Sequence, residues 1–161
     1  MIIRKFEKKD LAQVLELCRE VRQHHIDLLN GYFTEHNDAF EQSVFLESLE
    51  SDNNIAFVAA ENDKVCGYLL GEFKEAPYLV NPKVALVSNF GVSQKNRRAG
   101  IGKKLMDAFY KLCKENNIDE IRLGVYNQNT GAYRFYENYG FNPLEQMMVL
   151  DITNEKLARE S

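Results

Sequence analysis

Residues 92–109 read "VSQKNRRAGIGKKLMDAF". Lys95, Arg97, Arg98, Lys103 and Lys104 surround Gly100 and Gly102 at the point where a helix begins. Ahead of them, "KVALVSNFGV" at 83–92 is almost wholly apolar, which predicts a strand covered on both faces. Behind them, Leu105, Phe109, Leu112 and Cys113 fall at helical spacing, and "EIRLGVY" at 120–126 predicts a second strand. Strand, glycine turn, helix and strand make one crossover, expected to be parallel and right-handed. The turn then lies at the carboxyl end of its strand, where open sheets bind ligands.

The cations need an explanation, because a helix start is the positive end of the backbone dipole and its first amides lack partners. An anion at the turn supplies one. Gly100 and Gly102 allow close approach, and the successive amides of residues 98–103 can point into one concavity. No carboxylate occurs from Gly91 through Met106; Asp107 is the first. The competing reading is a solvated basic helix start with a glycine hinge. Two familiar phosphate loops do not fit. The pattern GxxxxGK(S/T) needs glycine where Arg97 stands and a hydroxyl where Lys104 stands, and GxGxxG from Gly100 meets Leu105 at its third glycine.

Outward from this crossover the pattern stays legible. "IIRKF" at 2–6 predicts a short strand. Leu11, Val14, Leu15, Cys18, Val21, His25 and Leu28 predict a helix broken by "NGYF" at 30–33. A second helix is expected from Asn37 or Asp38, with Glu41 completing a capping box. "NIAFVAAENDKVCGYLLGEF" at 54–73 predicts two strands around a turn at 61–64, followed by a loop with Pro77 and Pro82. A short helix is expected from Asn129 or Thr130 to Gly140, and "MMVLDI" at 147–152 predicts a last strand. The fold expected is one domain of mixed α/β class over residues 1–152, a mixed sheet with helices on both faces, with a tail at 153–161.

Composition bounds the function. The 161 residues suit one domain, and the net charge of -4 disfavours a nucleic-acid binder. The charged start and the lack of an apolar run near the roughly 18 residues of a membrane span point to a cytoplasmic protein, with no membrane partner. Cys18, Cys66 and Cys113 are odd in number and widely separated, so they are expected to be buried free thiols, and no metal site is expected.

Two motifs carry a family resemblance. "NRRAGIGKKLM" resembles the acyl-CoA loop of the GNAT superfamily of N-acetyltransferases, Arg/Gln-x-x-Gly-x-Gly/Ala, with Arg97, Gly100 and Gly102 at its defined positions. "NQNTGAYRFYENYGF" resembles that family's later helix, through Asn129, Ala132, Phe135, Tyr136, Gly140 and Phe141. The order of elements fits from residue 2 to about 152. The resemblance implies a largely antiparallel central sheet in which one parallel strand pair splays to admit the acyl arm. It implies acetyl-CoA as donor and an amine, small molecule or peptide, as acceptor. Dimers are common in the family, so a homodimer is compatible with it.

The resemblance also distributes roles. The pyrophosphate falls to the amides of Arg98, Ala99, Gly100, Ile101, Gly102 and Lys103, assisted by Arg97. Phe90, Gly91 and Val92 present strand backbone to the pantetheine arm, with a bulge expected at Gly91. Asn129, Tyr133 and Tyr136 share one helical face, which can line the channel. Tyr136 matches the tyrosine that protonates the departing thiolate in many relatives, and a phenol near pKa ~10 can donate at neutral pH. Many relatives carry an acid on the strand at 84–92, where this chain has Ser88 and Asn89. Glu72 on the preceding strand is the substitute base, acting through water. His25, Tyr32, Phe33 and Tyr78 are candidates for the acceptor site. The alternatives are a peptide or protein acetyltransferase acting on lysine or an N-terminal amine, and an acyl-CoA sensor without turnover.

Overall fold

The sheet grows from a hairpin. β1 (Ile2–Lys5) precedes it in the chain; β2 (Asn54–Glu61) and β3 (Lys64–Glu75) form it, pairing antiparallel around Asn62 and Asp63, which are left-handed at φ 50° and 62°. Asn and Asp tolerate the conformation that a two-residue hairpin turn requires. β1 pairs antiparallel with β2, and β4 (Lys83–Val92) pairs antiparallel with β3. β5 (Glu120–Leu123) runs parallel to β4 and completes the order β1-β2-β3-β4-β5. This computed structural model describes residues 1–35 and 37–153; His36 and all but the first residue of the expected tail lie outside the described residues.

Both faces of the sheet are covered, which explains the continuous apolar runs in its middle strands. On one face α1 (Leu11–Leu28) and α2 (Asp38–Glu47) bring Val14, Leu17, Cys18 and Phe45 onto Ala56, Val58, Tyr68 and Leu70. On the other, α3 (Ile101–Glu115) brings Ile101, Leu105, Met106 and Phe109 onto Ile55, Phe57, Leu69 and Val87. The aromatic side of α4 (Thr130–Tyr139) packs against this second cluster. Alternate residues of β2 thus serve alternate cores, as the period of a strand demands. The three cysteines are free and buried, as their spacing suggests. Among the described residues no helix is long and apolar enough to cross a membrane.

The expected splay is present. β4 and β5 pair only from Val84 opposite Glu120 to Val87 opposite Leu123, and β4 then continues to Val92. The extra residue lies at Ser88, where the β3 register passes from Leu70 opposite Asn89 to Gly71 opposite Val87. The bulge is therefore at Ser88 and not at Gly91, which pairs with Tyr68 without a register shift. Gly91 answers a packing need instead. A Cβ there would lie 2.6 Å from Val21 Cγ2 and 2.9 Å from the Tyr68 ring. The strand expected through residue 126 ends at Leu123, because its partner diverges.

Two further expectations are corrected. Asn37 caps α2, its side chain accepting from the Ala39 amide at 3.0 Å, so Glu41 falls one place too far along for a capping box. Glu41 is buried and lies 3.6 Å from Arg22 of α1. The last strand expected at 147–152 is absent: residues 141–151 are neither helix nor strand. A strand needs partners for its backbone groups, and no strand of the described chain pairs with this segment.

Candidate active site at the splayed strands

The loop after β4 is built to leave donors open. Arg98 and Gly100 are left-handed at φ 66° and 74°, and Gly100 starts α3 without a side-chain cap. The amides of Ile101, Gly102 and Lys103, in the first turn, have no intrahelical acceptor. Arg97 is tied back to the strand, its Nε donating to the Val92 carbonyl at 3.3 Å. Lys103 donates to Asp107 at 2.7 Å, and the same carboxylate accepts from the Tyr139 hydroxyl at 2.8 Å. Asp107 therefore joins α3 to α4 and holds Lys103 on the helix surface. An uncapped helix start ringed by cations fits a pyrophosphate.

α4 is positioned by its ends. The Asn129 side chain accepts from the Ala132 amide at 3.2 Å, which explains asparagine at the helix start, and Gly140 closes the helix at φ 119°. Asn129→Ala should lower stability by about 1 kcal/mol, or a few degrees in a thermal melt of a domain of this size.

Tyr136 is half-buried, its ring 6.2 Å from Phe90, 5.4 Å from Phe135 and 5.8 Å from Phe141. Among the described residues its hydroxyl has no hydrogen-bond partner, and burial pushes it up to about 12. Phe90 also packs on Phe135 at 5.6 Å, so β4 and α4 meet where β4 leaves β5. Tyr133 is more exposed on α4 and makes no ring contact among the described residues.

On the opposite face, Asn89 is held by a residue that spacing did not single out. Tyr68, fully buried, donates its hydroxyl to Asn89 Oδ1 at 2.7 Å, and Asn89 Nδ2 faces Cys18 Sγ at 4.0 Å. Burial first, then its neighbours, holds the Tyr68 phenol well above the ordinary range. Glu72 lies on this same side of β3, two residues beyond Leu70, with its carboxylate 2.7 Å from Lys74 Nζ. Tyr136 and Glu72 thus occupy opposite faces of the sheet; Glu72 pairs with Leu86, and the gap between β4 and β5 opens beyond Val87.

Beyond that gap His25, Tyr32 and Phe33 gather around Tyr126. His25 lies 5.4 Å from Tyr126 and 5.8 Å from Phe33, and Phe33 lies 5.4 Å from Tyr126. Tyr32 packs edge-on to Phe33 at 5.2 Å, and Arg22 sits 5.1 Å over Phe33. Burial, with help from His24 and Arg22, lowers the His25 pKa and keeps it neutral near pH 7. Sequence reasoning missed Tyr126, which only the end of β5 brings here. Tyr78 is 82% exposed in the β3–β4 loop and has no ring contact with the cluster.

Comparison with known proteins gives the same direction. The family model described as "Acetyltransferase (GNAT) family" matches residues 16–141. An N-alpha-acetyltransferase of Sulfurisphaera tokodaii is 32% identical over 109 residues, covering 63% of this chain and 64% of that protein. The chain thus spans less than two thirds of that relative's length. The crystal structure of a mutant of the BH1408 protein from Bacillus halodurans superposes with a TM-score of 0.86 at 25% identity, covering 94% of this chain and 99% of that one. The aminoglycoside enzyme AAC(6')-Iy, solved with a bisubstrate analogue containing CoA, shares the fold with a TM-score of 0.72 at 19% identity, covering 93% and 96% of the two chains. On the family match, which spans the splayed strands, the glycine loop and α4, this chain belongs to the GNAT family of acetyltransferases.

Proposed function

We propose that this protein transfers an acetyl group from acetyl-CoA to the α-amine of a peptide. The observation that carries the reading is the uncapped, cation-ringed start of α3 beside a β4 edge left open from Ser88 to Val92. Acetyl-CoA supplies the activated acetyl thioester when bound. The amides of residues 98–103 would hold its pyrophosphate, and Arg97 and Arg98 would add charge. The open edge at Phe90, Gly91 and Val92 would take the pantetheine arm as an added strand does. Asn129 and Tyr133 would line the channel from α4. The amide of Phe90 or Val92 would steady negative charge on the carbonyl oxygen. The Tyr136 hydroxyl would donate to the leaving sulfur.

The acceptor class follows from the base. Asn89 stands where a carboxylate is expected, and its Oδ1 is taken by Tyr68. Glu72 is tied to Lys74 and would act only through water. An alkylamine near pKa ~10.4 is about one part in 2,500 neutral at pH 7, whereas an α-amine near ~8 is about one part in ten neutral. A site poor in bases suits the α-amine. The aromatic cluster of His25, Tyr32, Phe33 and Tyr126 would receive the apolar part of the first residues. The name of the Sulfurisphaera relative agrees.

The test is acetyl-CoA-dependent thiol release with three acceptors: peptides with a free N-terminus, the same peptides N-blocked but carrying lysine, and aminoglycosides. Turnover of the free N-terminus alone, rising with pH and levelling near pH ~8 as the α-amine becomes neutral, is the expected result. Turnover of the blocked peptide or the aminoglycosides alone would overturn the acceptor assignment. Acetyl-CoA binding without turnover of any amine would leave a sensor.

A further inference from the structure

Past its bulge, β4 is fastened to β3 by side chains as well as by backbone. The Ser93 amide donates to the Cys66 carbonyl at 2.9 Å. The register places Gly91 opposite Tyr68 and Asn89 opposite Leu70. Opposite residues of an antiparallel pair alternate between bonded and non-bonded, so Ser93, Gly91 and Asn89 turn their backbone groups to β3. Phe90 and Val92 turn theirs to the edge that β5 leaves uncovered beyond Val87. Two side chains secure this arrangement where the bulge interrupts the ladder. Ser88 Oγ donates to the Leu70 carbonyl at 3.2 Å, and the Tyr68 hydroxyl donates to Asn89 Oδ1 at 2.7 Å. The Tyr68 ring also lies against Gly91, where a Cβ would come within 2.9 Å of it. One buried residue thus holds two successive β3-facing positions of β4.

We infer that Tyr68 is a positioning residue for acetyl transfer: its hydrogen bond to Asn89 and its ring against Gly91 set the angle at which the Phe90 and Val92 amides meet the open edge. The inference rests on the reading of that edge as the acetyl-CoA site. A bulge bends and twists its strand, and no strand on the outer side of β4 fixes the angle beyond Val87. Tyr68 can fix it because it is itself anchored, fully buried and edge-on to Phe45 at 5.6 Å. Burial keeps its phenol protonated, so it donates to Asn89 across the working pH range. An amide that steadies charge in the transition state depends on alignment, and a misplacement of about 1 Å can cost about 10²-fold. Loss of one hydrogen bond moves the strand less, which sets the expected effect at about tenfold. Contacts already made in the ground state tolerate the shift better, so the loss falls on kcat.

Tyr68→Phe keeps the ring and leaves Asn89, which is only partly buried, within reach of water, so the variant should fold. In the thiol-release assay its kcat should fall about tenfold while the KM for acetyl-CoA stays about the same. Asn89→Ala should lower kcat equally, and the double variant no further, because two residues acting through one bond do not add. Unchanged kcat in Tyr68→Phe would overturn the inference. So would losses that multiply in the double variant, or a loss carried wholly by KM. Amide hydrogen exchange tests the clamp without cofactor or acceptor. In Tyr68→Phe the Asn89 and Gly91 amides should exchange about tenfold faster, with Leu105 in α3 unchanged. Unchanged exchange at 89 and 91, or the same quickening at Leu105, would show that Tyr68 does not hold this strand locally. A wild-type chain that turned over no amine would remove the proposed function and the catalytic role of Tyr68 with it, and the exchange rates would still decide the clamp.

Discussion

Tyr136→Phe is expected to lower kcat about 10²-fold, within the range of a lost general acid or charge-assisted hydrogen bond, and to change acetyl-CoA affinity little. The phenol reaches about 12 through burial, so it stays protonated across the working pH range. An ordinary thiol sits near ~8.5, so complete transfer of the phenolic proton to sulfur runs uphill. On the proposed reading the hydroxyl would serve chiefly as a donor to charge growing on the leaving sulfur, a transition-state interaction that would fall on kcat. Stability provides the control. Since the hydroxyl has no hydrogen-bond partner among the described residues, its removal should leave the thermal midpoint unchanged or slightly raised. Comparable turnover in the variant, measured by thiol release at saturating substrate, would take Tyr136 out of the reaction.

Arg4→Met is expected to lower stability by about 3–5 kcal/mol near neutral pH. Asp10 is 1% exposed. It accepts from Arg4 Nη1 at 2.7 Å and Nη2 at 2.8 Å, and from the Glu7 amide at 2.9 Å. Burial alone would raise its pKa, but the Arg4 and Glu7 bonds outweigh burial and leave it lowered. In the native protein this group adds stability above its unfolded pKa, and that stability is lost as pH falls through the lower folded value. Without Arg4 burial dominates and the carboxyl is pushed up, so the variant gains on acidification. The gap between the two proteins should be widest near pH 7 and should narrow toward pH 4. Urea midpoints at both pH values check this, and an equal gap at both would show that the loss comes from packing.

The sequence by itself determined the features that depend on neighbours three or four places away. The helices, the Asn129 cap, the Gly140 stop and the turn at Gly100 all follow from dihedral preferences and periodicity within a few residues. So does the basic helix start that calls for an anion. Tertiary structure decided what joins distant segments. It ended the β4–β5 pairing at Val87, placed the bulge at Ser88, brought Tyr126 to His25 and Phe33, and set Tyr68 under Asn89. It also left residues 147–152 unpaired although their composition favours a strand. Local spacing sets which conformation a segment prefers. Which edge it meets, and which side chains meet across a gap, depends on register and packing between segments far apart in the chain, and no spacing rule encodes that.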